Sequence, residues 1–190
     1  MGSYTAIADV GNALVRLLQQ YLVPDTLLSA DSIGLCRPSD KGDFMLGVHL
    51  YGVEECVEMR DSEMIDVGLQ RQKYPPTYLS LYYMITPFSN SDVKFRAEEE
   101  QRILGRVVQV IKDYGTFDCN TYQPVEFPKG LDIRIDPVML TLEQKLRLWN
   151  APDIPYRASL YYKATPVVVE SSRMRKIRRV TDLNLSVEEK

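Results

Sequence analysis

Residues 78–88, Tyr-Leu-Ser-Leu-Tyr-Tyr-Met-Ile-Thr-Pro-Phe, constrain the fold more than any other stretch. They are rich in aromatic and β-branched side chains, and Pro75, Pro76 and Pro87 bracket them. Leu79, Leu81, Tyr83 and Ile85 fall on one side of an extended chain; Ser80, Tyr82, Met84 and Thr86 fall on the other. Period two over a strand-length run predicts a central β-strand. Apolar bulk on both sides predicts that protein covers both faces. The octet Ser80-Leu81-Tyr82-Tyr83-x-x-Thr86-Pro87 recurs as Ser159-Leu160-Tyr161-Tyr162-x-x-Thr165-Pro166. Residues 60–78 and 140–158 do not match each other, so two sheet strands that converged on similar residues explain the echo more simply than a duplication.

A chain of 190 residues suits one domain with a sizeable hydrophobic core. Its net charge of −3 provides no global field that favours nucleic acid or an anionic membrane. No apolar run approaches the roughly 20 residues of a bilayer span, so no direct membrane insertion is expected. The first residues lack a basic stretch followed by an apolar core, which argues against a secretory signal. Gly2 invites comparison with a myristoylation motif, but Ala6 stands where that motif has Ser or Thr. Cys36, Cys56 and Cys119 are widely spaced, with no Cys-x-x-Cys pair, and fit a reducing compartment. His49 is the only histidine, so a zinc site would need several carboxylates, and no metal or cofactor is expected.

Along the chain, residues 5–22 carry Ile7, Val10, Leu14, Leu17, Leu18 and Tyr21 at helical spacing, with Ser3 as N-cap and Pro24 as the stop. Arg16, Gln19 and Gln20 then face water. Residues 31–36 form a short strand before a turn with Pro38 and Gly42. Residues 44–57 read as a long strand in which Gly47 and Gly52 mark a bend or bulge. Residues 58–73 are polar, mixed in charge and weakly patterned, and read as a long excursion between strands. Residues 94–114 form a second helix with Ser89–Asp92 supplying N-caps, acids at Glu98, Glu99 and Glu100 in its first turns, and Gly115 as its end. Gly105 within it suggests close backbone packing. Residues 116–130 are loop and residues 131–135 a half-exposed strand. Thr141-Leu142-Glu143-Gln144 is a capping box opening a short helix over 142–150, with Leu142, Leu146 and Trp149 on one side. Residues 157–170 form the last long strand.

Few residues offer chemistry. Cys56 and His49 stand seven apart, which places them on opposite faces of an unbroken strand, so a packed histidine is the simpler reading than a catalytic couple. Glu54, Glu55, Glu58, Asp61, Glu63 and Asp66 are acidic without EF-hand spacing, which suits a solvated loop. No phosphate-binding Gly-rich loop and no nucleophile elbow is present. The C-terminal segment is different. Arg173, Arg175, Lys176, Arg178 and Arg179 crowd five cations into seven residues. Residues 180–187 then alternate Leu183, Leu185 and Val187 against Asp182, Asn184 and Ser186. A solvated tail is the plain reading; the sharper one is an arm that adds a strand to another chain's sheet edge. The chain thus divides into an α/β (α+β) domain over residues 1–172 and a basic arm over 173–190.

Several stretches together carry a resemblance. They are Ser3-Tyr-Thr-Ala-Ile-Ala-Asp-Val-Gly-Asn-Ala-Leu, Leu46-Gly-Val-His-Leu-Tyr, Pro76-x-x-Leu-Ser-Leu-Tyr-Tyr-Met-Ile-Thr-Pro-Phe-Ser, Glu100-x-x-Ile-Leu-Gly-Arg-Val-Val-Gln-Val-Ile, Leu140-x-Leu-Glu-Gln-x-x-x-Leu-Trp149 and Pro155-Tyr-Arg-x-Ser159. In this order, from Ser3 to Glu170, the chain resembles the N-terminal domain of cap, or tail-terminator, proteins of phage-tail-like contractile injection systems, as in the antifeeding prophage and the Photorhabdus virulence cassettes. The resemblance implies a single domain with a mixed β-sheet flanked by about three helices. It implies a structural protein without catalytic residues or cofactors, whose partners are copies of itself in a six-membered ring, the inner-tube subunits and the last layer of sheath subunits. It also implies assembly in the bacterial cytoplasm and a final position at one end of the particle. Many members carry a further C-terminal domain, and this chain ends at Lys190, so any function of that extension is not carried over. Two other readings stand beside it: a small enzyme using Cys56 or His49, and a nucleic-acid-binding domain using the basic tail.

Overall fold

A computed structural model describes residues 4–60, 62–68, 70–117, 132–149 and 154–176. Ser3, Cys119, Asn150 and most of the predicted loop at 116–130 lie outside them. The first helix, α1, runs Ala6–Leu22; Thr5 rather than the predicted Ser3 stands at its N-cap position, without a side-chain capping bond, and its hydroxyl donates to Asp9 Oδ2 at 2.7 Å. The predicted apolar stripe is buried: Val10, Leu14, Leu17 and Leu18 are fully enclosed. Gln19 does not simply face water. Its amide donates to the carbonyls of Ala30 (2.9 Å) and Ile33 (3.1 Å).

Strand β1, Ile33–Leu35, lies parallel to β2, Leu46–Glu55. The chain between them passes close over the sheet, and the ring of Phe44 occupies the space where a Cβ on Gly34 would stand. The predicted bulge in β2 is at Tyr51, between Leu50 and Gly52. Gly47 is needed for contact: a Cβ there would meet Cys36 Sγ at 2.5 Å and the Phe88 ring at 2.9 Å.

The expected excursion over residues 58–73 is partly ordered, which corrects the loop reading. Strands β3, Ile65–Asp66, and β4, Arg71–Lys73, form a hairpin that turns through Gly68 at φ +73°. Alternation is invisible in strands this short, so no period could reveal them. Strand β5, Thr77–Pro87, is the predicted central strand. Helix α2, Val93–Tyr114, follows, and its end at Gly115 leads into β6, Thr116–Phe117. Then come β7, Ile133–Pro137, helix α3, Leu142–Leu148, strand β8, Leu160–Val169, and β9, Met174–Lys176.

The main sheet is mixed, with order β1-β2-β5-β8-β7-β6, antiparallel except for β1 beside β2. A three-stranded sheet, β3-β4-β9, forms beyond the end where β5 begins and β8 finishes. Helices α1 and α2 cover the face bearing Leu81, Tyr83 and Ile85. The other face bears a smaller cluster of Met84, Phe88, Trp149 and Tyr161, so both faces of β5 are covered, with Tyr82 left partly exposed and donating to Glu54 Oε2 at 2.8 Å.

The echo has a structural reason. β5 and β8 are antiparallel neighbours with Tyr83 opposite Tyr162. Opposed chain directions set the serine of each copy against the threonine of the other. Ser80 Oγ donates to Thr165 Oγ1 at 3.2 Å, and Thr86 Oγ1 lies 2.8 Å from Ser159 Oγ. Such cross-strand hydroxyl pairs contribute roughly 0.2–1 kcal/mol each.

The acids of α2 do not occupy its first turn, which contains none. Glu99 instead accepts from the hydroxyls of Ser89 and Ser91, and Glu100 pairs with Arg157 Nη1 at 2.8 Å. These contacts pin the entry to α2 onto the segment before β8. The capping box of α3 is present, with Thr141 Oγ1 accepting from Gln144 N at 3.3 Å and Gln144 Oε1 accepting from Thr141 N at 2.8 Å. Trp149 is buried, but Leu142 and Leu146 stay exposed.

Gly105 overturns its expected role. It is exposed, and a Cβ there would meet nothing within 4 Å. Gly105→Ala should therefore raise stability by about 0.5–1 kcal/mol through helix propensity. Gly47→Ala should lower it by roughly 1–3 kcal/mol by forcing Cys36 and Phe88 apart. Urea unfolding of both variants checks the pair; destabilisation by the first would mean that Gly105 has a contact beyond this chain.

Candidate functional site

Arg173, Arg175 and Lys176 of the predicted arm stand at the small sheet. Strand β9 pairs with β4 in the register Arg71 to Lys176, Gln72 to Arg175 and Lys73 to Met174. Arg173 stacks its guanidinium 4.5 Å from the centre of the Tyr74 ring, and its carbonyl accepts from Tyr74 N at 3.2 Å. Lys73 pairs with Glu170 just before. Met174, Arg175 and Lys176 are all exposed, and β9 is an edge strand of its sheet. The structure thus ties the base of the arm to its own domain as far as Lys176. Arg178, Arg179, Leu183, Leu185 and Val187 lie outside the described residues.

At the other flank the main sheet has an open stretch. β1 pairs only with Leu46, Gly47 and Val48, whereas β2 continues to Glu55. Among the described residues no strand lies beside β2 from His49 onward on that side. A cleft of about 830 Å³ opens where β1 stops, lined by Ile7 and Gly11 of α1, Leu35, His49, Leu50 and Tyr83 among others. Tyr83 is 1% exposed, and its hydroxyl has no hydrogen-bond partner among the described residues. That oxygen lies 3.5 Å from where a Cβ on Gly11 would stand, at the wall of the cleft. Burial pushes the Tyr83 phenol well above its ordinary pKa, so it stays protonated and able to donate.

Cys36, not Cys56, lines the same cleft as the histidine. The pair is tuned against nucleophilic chemistry. Burial, then Asp40, pushes the Cys36 thiol up, while burial, then Arg37, pushes His49 down. A thiolate–imidazolium couple needs both shifts reversed. Cys56 lies elsewhere, with Sγ 3.0 Å from Ser80 Oγ and 3.4 Å from Thr165 Oγ1. The bulge at Tyr51 corrects the argument from alternation: it brings Glu54 and Cys56 round to the face of Tyr82 and Ser80. Distance along the strand separates Cys56 from His49 instead, roughly 20 Å at the usual rise. Among the described residues, no group of three or more His, Cys, Asp or Glu side chains could hold a metal ion. No helix among them is long and apolar enough to cross a membrane.

Comparison with known proteins fits this picture. The family model described as the Pvc16 N-terminal domain matches residues 9–182. The sheath/tube terminator of PVC, an extracellular contractile injection system, in its extended state, superposes with a TM-score of 0.66 at 22% identity, over 100% of this chain and 65% of that one. The tube-terminating cap of the anti-feeding prophage superposes with a TM-score of 0.57 at 18% identity, over 95% of this chain and 61% of that one. The chain therefore spans less than two thirds of the length of either. A search of curated proteins found no match.

The His49 environment has a measurable consequence. Its folded pKa lies below the ordinary 6.5, so the native state binds fewer protons than the unfolded one as acid is added. The stability this represents is complete above about pH 7 and is lost as pH falls through 6.5 towards the lower folded value. Glu99, lowered by its bonds to Ser89 and then Ser91, acts in a separate window: its contribution is complete above 4.5 and is lost below it. Thermal unfolding of His49→Gln should show a flatter stability profile than the parent between pH 7 and 5.5, with the two profiles parallel above pH 7. Parallel profiles throughout would mean that the imidazole is not held neutral.

Proposed function

The chain belongs to the Pvc16 N-terminal domain family, and on that footing we propose that it is the tube-terminating cap of a contractile injection system. It closes the inner tube as a homohexameric ring, holds the last sheath layer, and acts through shape and edge pairing rather than catalysis. The observation that carries this reading is the family match across residues 9–182, joined to a fold shared with two terminators.

The physical demands on a cap agree with what the molecule offers. A subunit that ends a polymer must bind the layer below and present no repeat of that surface above. A heterologous contact that closes into a ring meets this demand, whereas one that stays open keeps growing. Sheet edges are the natural growth points, and proteins blunt them with short strands and charge. Here the outermost strands β1, β6, β3 and β9 are two or three residues long. The cap is assembled in the bacterial cytoplasm and comes to rest at one end of the particle.

Attachment is assigned to the basic segment and arm. Arg173, Arg175, Lys176, Arg178 and Arg179 supply positive charge, and Leu183, Leu185 and Val187 supply the alternating apolar face of an added strand. The last sheath layer is the partner that the cap reading suggests. The reading requires no nucleic acid, membrane insertion or cofactor.

Two measurements test it. Particles carrying this subunit with a label should show six copies at one end; a strictly monomeric chain absent from particle ends would reject the reading. Truncation after Lys176, which spares β9, should leave the melting temperature within a few degrees while lowering the yield of capped particles. Normal yield and length with the truncated chain would remove the arm from the proposal.

A further inference from the structure

The open edge of β2 and the cleft beside it form one acceptor. The edge presents backbone groups from His49 to Glu55 on the side where β1 has run out. An added strand is the occupant that satisfies backbone donors and acceptors in a row. The cleft takes side chains from such a strand, because its walls at Ile7, Leu35 and Leu50 are apolar and the Tyr83 hydroxyl at its wall has no partner among the described residues. At the far end of the same edge stand Glu54 and Glu55, both exposed, with Glu58 just beyond them. An occupant that matches this acceptor therefore carries cations at one end and alternating apolar residues after them.

Such a segment is written in the chain's own arm: Arg178 and Arg179, then Leu183, Leu185 and Val187 at every second position. We propose that residues 178–187 of one copy add to the open edge of β2 in the next copy, running antiparallel to it. Arg179 lies opposite Glu55, with Arg178 just beyond it, and Leu183 lies at the cleft beside Leu50. The spacing agrees. Arg179 and Leu183 are four positions apart and share a face of an extended chain, and across the bulge at Tyr51 Glu55 and Leu50 are also four ladder positions apart on one face, since Glu55 stands opposite Leu79 and Leu50 opposite Tyr83. The levels also agree. The arm leaves β9 beyond the end where β8 finishes, which is the end where the acidic part of β2 lies, since Glu55 pairs with Leu79 and Thr77 with Val169. Donor and acceptor are different surfaces at one level of the molecule, which is the arrangement that copies side by side about an axis require. The inference rests on the ring reading and deepens it: the next copy becomes the first acceptor of the arm, ahead of the sheath.

The test uses the full chain. Leu183→Cys should cross-link to native Cys36 of another copy under oxidation or with a short bismaleimide, giving a ladder of covalent oligomers that Cys36→Ser abolishes. Mixing copies of two masses shows that the link joins different chains. Glu55→Arg should weaken self-association at least about tenfold, and Arg179→Glu in the same chain should restore most of it. Glu55 is exposed, and among the described residues its ion pair is a long one, 3.7 Å to Arg60, so its replacement spares the fold. Links confined to single copies would overturn the proposal, as would an intact ring without the link, or one that keeps its affinity on truncation after Lys176. The last two would leave the ring reading standing with another interface. A chain that stays monomeric at every concentration and in the particle would sink both.

Discussion

The pairing of β5 with β8 is the interaction on which the rest of the molecule hangs. It runs from Thr77 opposite Val169 to Ile85 opposite Leu160, and hydroxyl pairs at Ser80–Thr165 and Thr86–Ser159 stand near its two ends. Each strand gives one face to α1 and α2 and the other to the cluster around Trp149. A slip of one residue would exchange those faces and bring polar positions under the helices. The matched Ser and Thr positions oppose such a slip, because a shifted register leaves buried hydroxyls without partners. Cys56 adds its thiol to one of these pairs and so ties the end of β2 to the same register.

From that centre outward the sheet is finished differently at its β1 flank and at the end of β8. On the β1 flank the strand is three residues long, and Gln19 of α1 occupies the carbonyl of Ile33. That closes the edge locally and leaves β2 open beyond Val48. On the β8 side the chain leaves the main sheet, turns at Glu170 through Arg173, and joins β4. The end of β8 thus leads to a basic extension, and the β1 flank holds a cleft with apolar walls and an acidic rim. On the proposed reading as a cap, these asymmetries carry the work that a catalytic centre carries in an enzyme. The opposed shifts of Cys36 and His49 agree with that reading, since burial tunes both groups away from reaction.

Family membership and shared fold set the frame, and the surfaces supply the chemistry within it. At 22% and 18% identity the two superposed terminators speak to architecture alone. The particular edge, cleft and cations belong to this chain's own residues rather than to the fold in general.

Much of this was legible beforehand where a period ran long enough. The stripe of α1, the alternation of β5, the capping box of α3 and the bulge near Gly52 all come from local chemistry, which repeats wherever those residues stand together. Short pieces were not legible: β3, β4, β6 and β9 have two or three residues, too few to show alternation, and long-range pairing alone makes them strands. Gly105 and the acids of α2 misled for a related reason, since only a three-dimensional neighbour decides whether a glycine is crowded or which group a carboxylate meets. Of the site, the sequence alone marked the basic run and the alternation after it, because both are properties of consecutive residues. The open edge of β2, the buried phenol of Tyr83 and the placing of Cys36 and His49 on one cleft were settled by tertiary structure, because each depends on where β1 stops relative to strands distant in the chain.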